Sequence, residues 1–150
     1  MKNQTFLMKR ILIIHDEPVE ARVVGRILSE AGCVVQVSLN PLEGLHEAIE
    51  TPPDLVLAAL EMTELNGDEL CVHLRSRPET RGVPVMLLSD RSELEGREIA
   101  RFSGAADHVD PRIAAERLIG AVWRVLRAVE LCRRAFRPIP DTSLFHSLKA

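Results

Sequence analysis

Cysteine is scarce in this chain, and what there is lies badly placed for chemistry. Cys33, Cys71 and Cys132 are the three in 150 residues. Odd in number and far apart, they form no metal-ligand or redox pair, which favours a reducing cytoplasm. The simplest reading is that they are small buried residues. Long apolar runs are also missing. No segment is long enough to span a bilayer, so no membrane partner is expected. The N-terminal apolar stretch is broken by Lys9-Arg10 and lacks a small-residue cleavage site, which argues against a signal peptide. An excess of positive charge is absent too: a net charge of -3 gives no global basic field to attract nucleic acid. What remains is an ordinary globular composition, 46% hydrophobic and 27% charged, at a length that suits one domain with a full core.

The organising stretch is Pro53 to Gly67. Pro52-Pro53 ends what precedes it, and Leu55 to Leu60 is an almost unbroken apolar run, the mark of a strand buried on both faces of a parallel sheet. Asn66-Gly67 closes the turn that follows. Ahead of it, Ile11 to Ile14 reads as a strand ending at His15-Asp16-Glu17. Pro18 suits the first turn of a helix carrying Val23, Val24, Ile27 and Leu28, with Asp16 or Glu17 near its N-terminus, Asp16 as its expected cap, and Gly32 as its stop. Val34 to Val37 is a second strand, and Leu42, Leu45 and Ile49 mark a second helix. Asp68 to Arg75 is a third helix. Val83 to Leu88 is a fourth strand, placed toward one side of the sheet by Pro84. Leu94, Ile99 and Phe102 suggest a fourth helix, stopped by Gly104. Asp107 to Val109 is a brief fifth strand, and Ile113 to Phe136 a long last helix. Strands alternating with helices at short spacing predict an α/β fold, a flavodoxin-like (βα)5 three-layer sandwich with parallel strand order 2-1-3-4-5 and an extended C-terminal helix.

Taken together, "RILIIHDEP", "PDLVLAALEMTELNG", "VPVMLLSD" and "GAADHV" resemble, in order, four motifs of the receiver domain of bacterial response regulators. The likeness runs from Lys9 to about Ala128. It implies a receiver-like domain over residues 9–128, an N-terminal extension over 1–8, and a helix extension and tail over 129–150. It also implies two-component signalling, in which a histidine kinase passes a phosphoryl group to an aspartate after the third strand. In that family an acidic pair helps hold magnesium, and a hydroxyl and a lysine bind the phosphoryl oxygens. This sequence departs from the pattern at those positions. The resemblance puts Ala59 at the phosphoacceptor position and His15 at the first acidic position, leaving Asp16. The lysine position is Pro111, or Asp110 with a one-residue gap. Thr63 stands where a proline is expected, and His108 holds the aromatic switch position. Ser89 keeps the switch hydroxyl, followed by Asp90, and Met62 and Gly67 match.

The sequence therefore predicts a receiver fold without receiver chemistry: no catalytic residue, no cofactor and weak or absent magnesium binding. Its residual pocket would be His15, Asp16, Glu17, Glu61, Ser89 and Pro111. The rival expectation is a working receiver that autophosphorylates on an unconventional carboxylate, Glu61 or Asp90, from a histidine kinase or a small phosphodonor. A transition-metal site from His15, Asp16 and His108 is a weaker alternative. The family's output surface, its fourth helix, fifth strand and fifth helix, maps here onto Arg97, Arg101, His108, Arg117 and Arg124, and its expected partner is a signalling protein or histidine kinase. Leu118, Val122, Val125, Val129, Cys132 and Phe136 form one apolar stripe on the last helix. Its outer turns would either be covered by Leu144, Phe145 and Leu148 of the tail or pair with a second copy as a homodimer.

Overall fold

The structure, a computed structural model, describes residues 8–135. Five strands alternate with five helices: β1 (Arg10–Ile14), α1 (Pro18–Glu30), β2 (Val34–Ser38), α2 (Pro41–Glu50), β3 (Leu55–Ala59), α3 (Gly67–Arg75), β4 (Val85–Leu88), α4 (Glu93–Ser103), β5 (Asp107–Val109) and α5 (Ala115–Ala135). All strand pairs are parallel, in the order β2-β1-β3-β4-β5. This is the flavodoxin-like order that the alternation predicts.

Side chains alternate across a strand, so each central strand feeds two cores. Ile11, Ile13, Leu55, Leu57, Met86 and Leu88 pack with α1 and α5 on one face. Leu12, Ile14, Val56, Ala58 and Leu87 pack with α2, α3 and α4 on the other. Burial on both faces is why β1, β3 and β4 read as continuous apolar runs. Each fully buried Leu or Ile contributes roughly 1.5–3 kcal/mol of transfer free energy.

Helix starts follow local chemistry. Pro18 and Pro41 occupy first-turn positions where a missing N–H costs nothing. Glu17 caps α1 by accepting from the Val19 N–H, and Asn40 caps α2 by accepting from Leu42 and Glu43. The expected cap, Asp16, is used elsewhere. Gly104 ends α4 at φ +85°, a left-handed conformation that favours glycine.

Two expectations are corrected, the start of β4 and the burial of Cys132. Strand β4 begins at Val85, so Pro84 precedes it. Its carbonyl accepts from Val56, and β4 lies toward one side of the sheet as expected, paired with β3 and the edge strand β5. Cys132 is exposed, while Cys33 and Cys71 are buried. In α4 it is the small residues Gly96, Ala100 and Ser103 that are buried, leaving Leu94 and Phe102 73% and 79% exposed. The outer turns of α5 leave Leu131 52% exposed. Phe136 and the tail residues Leu144, Phe145 and Leu148 lie outside the described residues.

Candidate functional site

In parallel α/β sheets the chemistry sits beyond the carboxyl ends of the strands. Here that rim is built from the ends of β1, β3, β4 and β5. Ala59 closes β3 and is 3% exposed. The start of α3 folds back against it: the Gly67 N–H donates to the Leu60 carbonyl at 2.8 Å, and a Cβ on Gly67 would strike the Ala59 carbonyl.

Around this methyl group the rim side chains are engaged with one another. Asp16, after β1, accepts through Oδ2 from the Thr63 N–H at 3.0 Å and the Thr63 hydroxyl at 3.3 Å. His15 is buried at 5% exposure. Its Nδ1 accepts from the Glu17 N–H at 3.1 Å, which assigns the neutral ring's proton to Nε2, facing Glu20 Oε2 at 2.5 Å. Both ring nitrogens are therefore occupied. Glu61, past β3, accepts from the Arg91 guanidinium of the β4–α4 loop at 2.8 Å. That hydrogen bond, reinforced by the carboxylate's charge, holds Arg91 still further above its ordinary range.

Ser89, after β4, ties the fourth and fifth strand ends together. Its Oγ accepts from the Arg91 N–H at 3.0 Å and lies 3.0 Å from His108 Nε2. The imidazole of His108 lies flat against α4 at Gly96, where any Cβ would enter the ring. His108 is thus half-buried and turned inward rather than presented to solvent. Pro111 is a half-buried turn residue. Beside it Asp110 receives a bidentate grip from Arg112, at 3.0 Å from Nε and 2.8 Å from an Nη, plus the Arg112 N–H at 2.9 Å. The hydrogen bond from Arg112 comes first in holding the Asp110 carboxyl below its ordinary range. Glu17 and Asp90 are exposed at the rim.

His15, Asp16, Glu17, Glu61, Ser89 and Pro111 thus all lie at one end of the sheet. His15, Asp16 and His108 do not converge: each is bonded to a different partner, and among the described residues no group of three His, Cys, Asp or Glu side chains could hold a metal ion. Sequence reasoning missed Arg91 and Arg112. Arg91 stands two residues after Ser89, and Arg112 directly follows Pro111, but neither fills a motif position.

Beside the rim, a groove of about 910 Å³ runs between α4 and α5 over β5; Arg97, His108, Arg117 and Arg124 line it together with the carboxylates of Asp90, Glu93, Asp107, Asp110 and Glu116. Arg97 is paired with Glu93 at 2.6 Å. Arg117 and Arg124 are exposed and have no ion pair among the described residues. Arg101 does not line this groove. It stacks on Phe102, 5.3 Å from the ring centre, and approaches Glu98 at 3.7 Å.

Comparison with known proteins agrees with this architecture. The profile described as "Response regulator receiver domain" matches residues 11–123. The DNA-binding dual master transcriptional regulator RpaA of Synechocystis is 29% identical over 82% of this chain and 51% of its own length. The transcriptional regulatory protein CusR of Escherichia coli is 30% identical over 79% of this chain and 51% of its own. Protein PilG of Pseudomonas aeruginosa is 22% identical over 75% of this chain and 84% of its own. The chain spans about half the length of RpaA and CusR. Among solved structures, the signal receiver domain of a histidine kinase from Syntrophus aciditrophicus superposes with a TM-score of 0.73 at 29% identity, covering 89% of this chain and 97% of that one. Chemotaxis protein CheY4 of Vibrio cholerae superposes with a TM-score of 0.73 at 21% identity, covering 79% and 98%, and shows the same fold. The five-stranded order, the two-faced core and the profile match converge: the chain belongs to the response regulator receiver domain family.

Proposed function

We propose that this chain is a receiver-fold module of two-component signalling that works through protein contacts and does not depend on accepting a phosphoryl group. One observation carries the reading. The strand end facing the rim presents the Ala59 methyl group, and a methyl group offers no nucleophilic oxygen. Three neighbouring carboxylates already have partners: Asp16 with Thr63, Glu61 with Arg91 and Asp110 with Arg112, while Asp90 stands exposed.

Magnesium, the ion the family implies, requires several oxygen ligands in near-octahedral geometry. The residues here do not fit it. One carboxylate is bound by a threonine, an imidazole with both nitrogens engaged stands beside it, and Ala59 adds no donor. No ammonium reaches the rim from Pro111 or Asp110. The loops are joined instead by direct side-chain bonds, which hold the α4–β5–α5 surface in one arrangement. Within the output groove, the exposed Arg117 and Arg124, with no ion pair among the described residues, would meet carboxylates of a signalling protein or histidine kinase, and neither nucleic acid nor membrane is part of this reading. A homodimer through the exposed Leu131 end of α5 belongs to the same proposal.

One observation favours the second reading, phosphorylation on an unconventional carboxylate. Glu61 is two-thirds exposed and already carries a guanidinium beside it. The two readings separate in a magnesium titration followed by amide NMR. Pseudo-receiver behaviour predicts no saturable shift at Asp16, Ala59 or Glu61. A saturable shift at those amides, enlarged by a phosphodonor, favours Glu61 chemistry.

A further inference from the structure

Helix α4 has two sides, and only one of them faces the output groove. On the other, against α3, lies a second groove of about 300 Å³ lined by Asp68, Val72, Glu98, Ile99, Phe102 and Ser103. Its apolar parts are left open: Phe102 is 79% exposed and Val72 53%. The cause is the turn of α4 already described, in which small residues face the sheet and the largest apolar side chain is placed outside. An exposed aromatic beside an aliphatic depression is the kind of surface that takes an apolar anchor from a partner.

The rim of this groove is acidic. Asp68, Glu69 and Glu98 line it, and no cation does. On α4 itself Arg101 reaches Glu98 at a loose 3.7 Å while its guanidinium covers one face of Phe102. Asp68, one of the lining residues, has an Oδ1 that is buried with no hydrogen-bond donor among the described residues, a costly arrangement for an acceptor.

We propose that the α3–α4 groove docks a basic amphipathic segment of a protein partner: one bulky apolar side chain set against Phe102 and Val72, and a flanking Lys or Arg directed at Glu98 and Asp68. Charge selects the partner, because an acidic or neutral segment would add like charge or leave the carboxylates unanswered. This surface is separate from the groove on the opposite side of α4, whose lining mixes arginines with carboxylates, so the module has two docking faces of different charge character.

A random peptide library displayed on phage and selected against the full chain tests this. Enriched peptides should carry a Leu, Phe or Trp flanked by Lys or Arg. A peptide made from that consensus should bind the wild-type chain and lose about tenfold or more in affinity to Phe102→Ser and to Glu98→Lys. Binding should weaken with added salt and be unchanged in the Arg117→Glu, Arg124→Glu double variant. Phe102 and Glu98 are exposed, so both variants should melt with the wild type, which checks the fold. The proposal is overturned if no peptide is enriched, if the consensus is acidic, or if the enriched peptide binds Phe102→Ser as tightly as wild type.

Discussion

Gly96 and His108 show how much of the rim rests on single atoms. A Cβ at position 96 would enter the His108 ring, so Gly96→Ala must either move α4 away from β5 or expel the imidazole from its place beside Ser89. Overpacking of this kind costs about 1–3 kcal/mol. Urea unfolding of Gly96→Ala should show that loss, and the His108 ring signals should shift in the NMR spectrum. Asp110 provides a pH test. Its folded-state pKa lies below the ordinary value of 3.8, because Arg112 binds the ionised carboxylate. The stability it contributes is therefore present above that ordinary value and is lost as pH falls through the lower folded value. Arg112→Ala should return the carboxyl titration of Asp110 to the ordinary range, read by NMR, and should flatten that part of the acid-stability curve. The cysteines differ in the opposite sense. Burial pushes the Cys33 thiol up to about 11, whereas Cys132 is exposed. At neutral pH a thiol reagent should modify Cys132 on the folded protein and leave Cys33 unmodified until denaturant is added. Above pH 9 the unfolded Cys33 thiolate forms first, so stability should decline between about 9 and 11.

Between elements, the approach of α2 to β1 is set by one missing side chain. A Cβ on Gly44 would stand 2.8–2.9 Å from three carbons of Ile14. Gly44→Ala alone should destabilise by about 1–3 kcal/mol, and Ile14→Ala alone by about 2–5 kcal/mol. The double variant should lose clearly less than their sum, measured by a double-mutant cycle in urea, because each change relieves the other. Elements were also the scale at which the sequence was most readable. The strands of Ile11–Ile14 and Leu55–Leu60 stood out because burial on both faces makes a run rather than an alternation. The proline-led helices stood out because caps are local. Helix α4 was legible as a helix but not in orientation. Leu94, Ile99 and Phe102 mark a helix without saying which face is buried, and a close approach to β5 admits Gly96, Ala100 and Ser103 there. The bonds across the rim were not legible at all. Asp16 and Thr63 are 47 residues apart, Glu61 and Arg91 are 30 apart, and no periodicity links such pairs.

At the scale of the whole molecule, a family fold persists beneath a rim whose bonds run between its own side chains. The sheet order and the two cores are those of the response regulator receiver domain family. On our reading, the loops that would answer a phosphoryl group are already tied: β1 to β3 through Asp16 and Thr63, β3 to β4 through Glu61 and Arg91, β4 to β5 through Ser89 and His108. A surface fixed this way presents its grooves constantly, and regulation would come from the partner's availability rather than from a modification. The measurement closest to that claim is the intact mass of the full chain after incubation with a small phosphodonor and magnesium, read under conditions that preserve acyl phosphates. The account predicts one species, unchanged in mass from the untreated protein. A phosphoryl adduct that disappears in Glu61→Gln would contradict it.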